Sequence, residues 1–259
     1  MTKLKVCAFQ MNIEFERAEE NCRQLATTAR CAANDGADVL VTPETFSLGF
    51  SMNTRLVAAH SRETCQAIQD AARENNINII AGVARELRNH ATSNQSYINA
   101  VVVVNRLGET IYEYIKTHLF SPMREDVFFY AGTGMQPFEL EGVRLGIGIC
   151  YDLRFPELFR AIASDVDAII IPANWPAARQ LHWDTLLRAR AIENQAYVYG
   201  VNRVGEGGGV QYNGGTAVYS PQGELLAVKY TSPGCITETI DSNAVTDIRQ
   251  NFPYLRDAW

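Results

Sequence analysis

Three side chains that could together perform nucleophilic catalysis stand at the ends of predicted strands. The carboxylate of Glu44, the amine of Lys116 and the thiol of Cys150 each follow a short apolar run. A thiol that attacks a carbonyl carbon needs a base to accept its proton and an electrostatic partner for the oxyanion that forms. A carboxylate and an ammonium group meet these two needs. The residues are far apart along the chain, so this chemistry depends on a fold that gathers them.

The sequence around Cys150 predicts a residue presented at the end of a strand. Residues 143–150 form an apolar run with glycine at alternate positions, which lets another backbone or a ligand approach closely. Asp152 and Pro156 predict a helix directly afterwards. Cys150 would then lie near a helix N-terminus, which favours the thiolate. The alternative is a buried core position, since free cysteine is among the most buried residue types.

The composition is typical of a globular protein that buries a large core. The chain has 259 residues, 47% hydrophobic and 20% charged, and we expect a single domain over residues 1–259. Its 23 basic and 29 acidic residues give a net charge of −6 without a run of Lys or Arg, so nucleic-acid binding is not expected. No apolar run approaches the roughly 18 residues of a membrane span, so no membrane partner is expected.

The spacing of cysteine and histidine argues against disulfides and metal ions. The six cysteines include no C-x-x-C pair, which is unlike a disulfide framework or a zinc ribbon and favours a reducing cytoplasm. The four histidines, at positions 60, 90, 118 and 182, have no metal-binding spacing, and we predict neither a metal nor a cofactor. The glycine-rich residues 205–209 lack the lysine and hydroxyl of a phosphate-binding loop and predict a hairpin loop.

Helical and strand-like segments alternate along the chain, which is typical of an α/β fold. Helices are predicted at residues 18–34, 62–75, 156–163 and 179–194. Strands are predicted at residues 3–11, 38–41, 77–84, 98–104, 110–115, 143–150, 168–171, 197–201, 217–220 and 224–228.

Two pairs of segments resemble each other in the same order along the chain. Residues 38–44 are similar to residues 167–173, and residues 105–109 are similar to residues 220–224. Strands and turns look alike in general, but two correspondences in one order indicate an internal duplication. We therefore expect a sandwich with pseudo-twofold halves, in which the ends of equivalent strands meet at one edge.

Several short segments resemble the signature segments of the nitrilase, or carbon–nitrogen hydrolase, superfamily. The resemblance is carried by Pro43 and Glu44 and by residues 116–120, 148–152, 172–176 and 188–195. It covers essentially the whole chain, and residues 173–204 are most similar to the YafV-like ω-amidase branch. The resemblance implies a four-layer αββα sandwich of the nitrilase type, a homodimer, and a catalytic triad of Glu44, Lys116 and Cys150.

The chemistry of this triad gives each member a role. Glu44 would accept the thiol proton and later activate water, a task that suits a carboxylate whose pKa is raised by burial. Lys116 would stabilise the oxyanion together with the backbone N–H of Tyr151. Cys150 would form a thioester as ammonia leaves, and water would then release the acid.

The resemblance also implies a second catalytic glutamate and a small amide substrate. Glu125 is the predicted glutamate, as a partner of Lys116 or a guide for the substrate, and Asp126 is the alternative register. The ω-amidase branch favours the ω-amides of 2-oxo dicarboxylates, chiefly 2-oxoglutaramate and 2-oxosuccinamate.

Such substrates carry a carboxylate, which a cation in the pocket would bind. Arg154, just after the nucleophile, is the predicted cation, and its alternative is a helix-surface pair with Glu157. Asn174 and Trp175 are predicted to line the pocket, with the core as the alternative for Trp175.

Two other functions stay open on the sequence. A deaminated-glutathione amidase would share the triad and differ in the size of its pocket. A catalytically silent binding protein on the same fold belongs to a different class, which the presence of all three triad residues disfavours.

Overall fold

Two β-sheets and the helices that cover them account for the described part of the chain. A computed structural model describes residues 2–87 and 97–258, so the histidine at position 90 lies outside the described residues. The strands are β1 (Lys3–Gln10), β2 (Val39–Val41), β3 (Asn78–Glu86), β4 (Tyr97–Val104), β5 (Thr110–Ile115), β6 (Phe138–Leu140), β7 (Val143–Ile147), β8 (Ala168–Ala173), β9 (Tyr197–Asn202), β10 (Val204–Gly207), β11 (Val210–Tyr219), β12 (Leu225–Tyr230) and β13 (Gly234–Asp241). The α-helices are α1 (Ala18–Asn34), α2 (Thr54–Asn75), α3 (Glu125–Phe128), α4 (Pro156–Arg160), α5 (Gln180–Asn194) and α6 (Ser242–Asn251). Within these ranges, no helix has both the length and the apolar character needed to cross a membrane.

The two sheets repeat one order of parallel and antiparallel pairs. In the first sheet, β13-β1-β2-β3-β4-β5, strands β1, β2 and β3 run parallel and the outer pairs are antiparallel. In the second, β6-β7-β8-β9-β11-β12, strands β7, β8 and β9 run parallel and the outer pairs are again antiparallel. Strand β10 pairs with β11 in addition. The predicted pseudo-twofold halves are therefore confirmed.

The sheets pack face to face, and helices cover their outer faces. Along β3, Ile80 belongs to the core shared by both sheets, whereas Ile79 packs with Leu25 of α1 and Ile68 of α2. This alternation follows because successive side chains of a strand point to opposite faces. Trp183 of α5 packs on the outer face of the second sheet. The layers are helix, sheet, sheet and helix, so the predicted αββα sandwich is confirmed.

The strand that leads to the nucleophile is shorter than predicted. It stops at Ile147 instead of residue 150, and Cys150 opens the 3₁₀ helix Cys150–Arg154. Cys150 has a φ of +45°, in the left-handed region that interrupts an extended chain. The thiol therefore stands on a sharp turn beyond the strand.

The alternating glycines of this strand accommodate side chains, and not a backbone or a ligand as predicted. A Cβ on Gly146 would lie 2.4 Å from Ile162, and one on Gly148 would lie 2.9 Å from Phe159. Both partners come from the segment that follows Cys150. Phe159 belongs to α4, whereas Ile162 lies just beyond it, because α4 ends at Arg160 and not at residue 163 as predicted. The glycines thus let this segment pack directly on the strand.

Helix α2 begins at Thr54 and not at residue 62. Asn53 caps it, since its side-chain oxygen accepts a hydrogen bond from the N–H of Leu56. Val57 is buried in the first turns, but the residues around it are polar or small and obscure the helical periodicity. Helix α1 has the predicted bounds, and α5 begins one residue later than predicted.

The glycine-rich residues 205–209 form a hairpin, as predicted. Strands β10 and β11 are joined there by Gly208 and Gly209, whose φ values are +58° and +79°. Two successive positive φ values are the requirement of the tight turns that match the twist of paired strands.

Strand β13 and helix α6 were not predicted. β13 pairs along its whole length with β1, at the other end of the chain. One face of β13 is polar and exposed, so it carries no apolar run, and the pairing joins segments that are distant in sequence. This pairing places Lys3, at the start of β1, next to Asp241, at the end of β13.

Gly82 of β3 lies directly beneath the turn that carries Glu44. A Cβ on Gly82 would lie 2.5 Å from the carbonyl oxygen of Pro43 and 2.6 Å from the Cα of Glu44. Both are backbone atoms, so the turn itself would have to move. The absence of a side chain at this position therefore sets the position of Glu44.

We expect Gly82→Ala to destabilise the protein by about 1–3 kcal/mol through overpacking and to lower its catalytic rate by displacing Glu44. Thermal unfolding and kcat check the two effects. Gly209→Ala is the control. Its added Cβ meets nothing within 4 Å, so this variant introduces the backbone strain of a positive φ without overpacking. A Gly82→Ala protein with unchanged kcat would contradict this account of the turn.

Candidate active site

The candidate catalytic residues meet at one edge of the two sheets. Lys116 directly follows β5, Asn174 directly follows β8, and Glu44 and Cys150 lie three residues beyond β2 and β7. The carboxyl ends of the parallel strands point to this edge, where α/β proteins place their sites. All four residues line one cleft. Each half of the sandwich contributes to it.

Lys116 lies between two carboxylates. Its Nζ is 2.8 Å from Oε1 of Glu44 and 2.9 Å from Oε2 of Glu125. All three side chains are fully buried. A buried charge needs a partner and hydrogen bonds, and each of these groups supplies them to the others.

Asn99 joins the two carboxylates. Its side-chain amide donates to Oε1 of Glu44 and to Oε1 of Glu125, both at 2.7 Å. The remaining oxygen of Glu44 accepts from the backbone N–H of Asn174 at 2.9 Å, and that of Glu125 from the N–H of Phe120 at 2.6 Å. Every carboxylate oxygen therefore has a donor besides Lys116.

The structure places Glu125, and not Asp126, against Lys116. Glu125 is buried at the start of α3, whereas Asp126 is exposed. Arg124, with a φ of +60°, turns the chain just before α3 and sets this register. Of the two carboxylates that the sequence left open, Glu125 is the one in the site.

The charges of this cluster shift the pKa values of its members. Burial alone would lower the pKa of Lys116, but Glu125, Glu44 and Cys150 together raise it, so the amine is an ammonium ion. Burial raises the pKa of Glu125, and Glu44 adds to that effect against the opposing charge of Lys116.

The expectation that burial raises the pKa of Glu44 is wrong. Burial acts in that direction, but the charge and hydrogen bond of Lys116 and the hydrogen bonds from Asn99 and Asn174 outweigh it. The net effect is a pKa below the ordinary value of 4.5. Glu44 is therefore ionised at neutral pH.

The expectation of a stabilised thiolate at Cys150 is also wrong. Burial and then the charge of Glu44 raise the pKa of the thiol well above its ordinary value, against the weaker effects of Lys116 and the N–H of Asn174. The helix that starts at Cys150 is a 3₁₀ helix of five residues, too short to reverse this balance. The resting pair is a neutral thiol and an ionised carboxylate.

Asp152 fixes the turn that carries Cys150. It accepts hydrogen bonds from the backbone N–H of Ile149 and of His118, both at 2.9 Å, and from the hydroxyl of Tyr114 at 2.8 Å. Tyr114 and His118 flank Lys116 in sequence. One buried carboxylate thus ties the segment of the lysine to the turn of the nucleophile.

The predicted substrate-binding residues lie on the wall of the cleft. Arg154 has its guanidinium carbon 4.7 Å from the ring centroid of Trp175 and 5.9 Å from that of Tyr151, and its side chain contacts His182 instead of pairing with Glu157. Trp175 is nearly fully buried yet lines the cleft, so it belongs to both the core and the wall. Tyr151 lies next to Cys150 on the same wall.

The side chain of Asn174 is hydrogen-bonded to the segment that carries Glu44. Its amide donates to the carbonyl oxygen of Glu44 at 2.7 Å and to Oγ1 of Thr45 at 3.1 Å. Only its buried Oδ1 has no hydrogen-bond partner. Asn174 therefore positions the turn of Glu44 in addition to lining the cleft.

Asn99 and Arg179 are parts of the site that the sequence did not reveal. Asn99 lies within the apolar strand β4, and a single polar residue in such a buried run is the signal that could have identified it. Arg179 lines the cleft from the segment before α5, where the sequence indicates only a helix start.

No group of three or more metal-ligating side chains occurs among residues 2–87 and 97–258. Glu44 of the cleft is hydrogen-bonded to Lys116 and to Asn174. The arrangement is suited to acid–base and nucleophilic chemistry by side chains.

A comparison with protein families shows which family the chain belongs to. The family model described as carbon–nitrogen hydrolase matches residues 5–250. The chain belongs to the carbon–nitrogen hydrolase family. The predicted family resemblance and the prediction of an enzyme are thereby confirmed.

Two relatives of this carbon–nitrogen hydrolase have names that state an activity. An ω-amidase, YafV, of Escherichia coli is 37% identical over 225 residues, covering 86% of this chain and 85% of the relative. A 2-oxoglutaramate amidase of Bacillus subtilis is 31% identical over 258 residues, covering 98% of this chain and 97% of the relative.

A solved structure has the same fold over the whole chain. The hydrolase is similar to a carbon–nitrogen hydrolase superfamily protein of Xanthomonas campestris, with a TM-score of 0.90, 30% identity, and coverage of 99% of this chain and 97% of the other. That protein carries an arsenic adduct in its active site.

We expect Asn99→Leu to move the acid limb of the pH–activity profile upward by about one pH unit. A hydrogen bond to a charged group contributes about 1.5 kcal/mol, and 1.36 kcal/mol corresponds to one pKa unit. Loss of the amide donor raises the pKa of Glu44, so the carboxylate becomes protonated, and activity is lost, at a higher pH than in the wild type.

The pH dependence of kcat/KM measures this shift. Val103→Ala is the matched control, because Val103 is fully buried in the same strand and packs in the apolar core. It should cost stability and leave the acid limb in place. An acid limb that is unchanged in Asn99→Leu would contradict the proposed effect on Glu44.

Proposed function

We propose that the enzyme hydrolyses the terminal amide of small 2-oxo dicarboxylate monoamides, chiefly 2-oxoglutaramate and 2-oxosuccinamate, to the acid and ammonia. The observation that carries this proposal is the buried Glu44–Lys116–Glu125 cluster beside the thiol of Cys150. The names of the relatives, an ω-amidase and a 2-oxoglutaramate amidase, support the choice of substrate.

In the first half-reaction, Cys150 attacks the amide carbon while Glu44 accepts the thiol proton. Because the thiol is neutral and the carboxylate ionised at rest, proton transfer accompanies the attack. The carbonyl oxygen becomes an oxyanion, which Lys116 and the backbone N–H of Tyr151 stabilise. Two of the three N–H donors of Lys116 suffice for the carboxylates, which leaves one for the oxyanion. Glu44 returns the proton to the nitrogen, the C–N bond breaks, and ammonia leaves a thioester.

In the second half-reaction, water replaces ammonia. Glu44 accepts a proton from the water that attacks the thioester carbon, and Lys116 stabilises the second oxyanion. The C–S bond then breaks, the proton returns to sulfur, and the carboxylic acid is released. Glu44 is regenerated after each half-reaction, so one carboxylate serves both.

Arg154 binds the far carboxylate of the substrate in this proposal. Its guanidinium lies on the wall of the cleft, stacked on Trp175, with one nitrogen 3.3 Å from Nδ1 of His182. A planar guanidinium held by stacking keeps its edge donors available for a carboxylate.

We expect Cys150→Ala to abolish ammonia release from 2-oxoglutaramate and Glu44→Gln to reduce it by about 10²–10⁴-fold, the usual contribution of a general base. Intact-mass spectrometry of wild-type enzyme quenched during turnover should detect an acyl adduct that is absent from Cys150→Ala. Ammonia release by Cys150→Ala at the wild-type rate would overturn the mechanism.

The same assay with deaminated glutathione tests the substrate. If kcat/KM is higher for deaminated glutathione than for 2-oxoglutaramate, the larger molecule is the preferred substrate and the proposed substrate is wrong. A wild-type protein that forms no thioester with any short amide would instead be a binding protein on the hydrolase fold.

We also propose that the enzyme is a homodimer that pairs through the outer face of α5. Leu181 and Ile192 support this, since both lie on α5 and are 76% and 50% exposed.

Light scattering at low concentration should give twice the mass of one chain, and Ile192→Asp should halve this mass. Leu107→Asp, at an exposed leucine in the β4–β5 turn, is the control that should stay dimeric. A wild-type monomer would contradict the proposal.

We propose a reducing cytoplasm as the working compartment. All six cysteines lie among residues 2–87 and 97–258, and none of them forms a disulfide bond, which supports an environment without disulfide formation.

A further inference from the structure

We infer that Arg179 is a specificity residue, which together with Arg154 forms a two-guanidinium subsite for a carboxylate at the far end of the amide substrate. This inference rests on the proposed amidase function and deepens it. It assigns the selection of anionic over neutral amides to a pair of cations, one of which the sequence did not indicate.

Arg179 lies on the same cleft as Cys150, at the end of the 3₁₀ helix Ala177–Arg179. Its guanidinium carbon is 5.4 Å from the ring centroid of Phe120. The N–H of Phe120 is hydrogen-bonded to Glu125, so this ring is anchored to the charged cluster. Arg179 is therefore held at a fixed place on the wall of the cleft, beyond the reacting groups.

Neither cleft arginine has an acidic partner among residues 2–87 and 97–258. Some other partly buried arginines pair with carboxylates, as Arg106 does with Glu141 and Arg144 with Asp167, and Arg249 donates to backbone carbonyl oxygens. Arg154 and Arg179 instead contact aromatic rings, and Arg154 a histidine. Stacking on a ring covers the face of a guanidinium and leaves its edge donors open. Two such cations on one cleft form a site that suits an anion.

Trp175 sets the position of both arginines. Its ring stacks with Arg154, and its Nε1 donates to the carbonyl oxygen of Arg179 at 2.8 Å. Trp175 itself is nearly fully buried and follows β8, so the second sheet holds both the guanidinium of Arg154 and the backbone of Arg179 in place. Groups that are held in place before binding lose little freedom when the ligand arrives.

The charge distribution of the cleft also orients the substrate. Glu44 and Glu125 are fully buried and so mark the inner end of the site, whereas the two arginines are only partly buried and lie on the outer wall of the cleft. A substrate carboxylate is repelled at the inner end and attracted to the arginines, so the neutral amide is the end that reaches the thiol. The subsite therefore selects short amides that carry a negative charge at the opposite end.

Succinamate and succinamide form the test pair, because they have the same shape and differ in one charge. We expect Arg179→Gln to raise KM for succinamate by about 10- to 100-fold, the effect of losing a hydrogen bond to a charged group. The kcat/KM for succinamide should change by less than about twofold, and Arg179→Lys should recover part of the loss because it restores the charge without the planar fork.

Arg188→Gln is the matched control. Arg188 is an exposed arginine stacked on Tyr219 outside the cleft, 5.5 Å from the ring centroid. This variant should leave both substrates unaffected. The double variant Arg154→Gln with Arg179→Gln should lose the preference for succinamate altogether, because no cation of the subsite remains.

Equal losses on succinamate and succinamide in Arg179→Gln would overturn the inference, since the residue would then only support the fold of the cleft. A wild-type enzyme without preference for succinamate would overturn it as well. Failure of the proposed function has a different signature, in which the wild-type protein releases ammonia from none of the amides.

Discussion

The burial of one ammonium group between two carboxylates is the constraint on which the site depends. Removing a charged group from water costs several kcal/mol, so Lys116, Glu44 and Glu125 are tolerable only together and only with their hydrogen bonds complete. Strand β5, the turn after β2 and the start of α3 must therefore end at one point. Gly82 and Asn99, neither of which can react with a substrate, are required by this geometry.

The same cluster gives Glu44 and Cys150 different charges at rest. Lys116 and the amide donors keep Glu44 ionised, while burial and the nearby charge of Glu44 keep Cys150 protonated. Pairs of groups whose environments push their pKa values apart mark acid–base assignments in enzymes. A protonated thiol is also a poor target for oxidants, since the thiolate is the form that reacts. In the proposed mechanism, the thiol therefore loses its proton only as it attacks a substrate.

The sequence was sufficient for the architecture and for the residues that carry charge at strand ends. Alternating strands and helices, repeated segments and family-like motifs led to the sandwich and to Glu44, Lys116, Cys150 and Glu125. It was insufficient where the outcome depends on several distant groups at once. The direction of the pKa of Glu44 depends on donors from β4, β5 and the end of β8, which no local pattern connects.

The sequence also did not predict the backbone conformation of Cys150 or the pairing of β13 with β1, because both depend on residues that are distant along the chain. A positive φ at Cys150 is imposed by packing around the turn, because cysteine has no preference for that region. Strand β13 has no apolar run, and only its pairing with β1 makes it a strand.

The hydrogen bonds between Asn174 and Glu44 join the two pseudo-symmetric halves at the ends of equivalent strands, β8 and β2. Glu44 and Lys116 thus belong to the first half of the chain and Cys150 to the second. A polypeptide emerging from the ribosome contains Glu44 and Lys116 long before Cys150 is added. It therefore has no reactive centre until the second sheet has docked on the first, and catalytic activity is itself a reporter of completed folding.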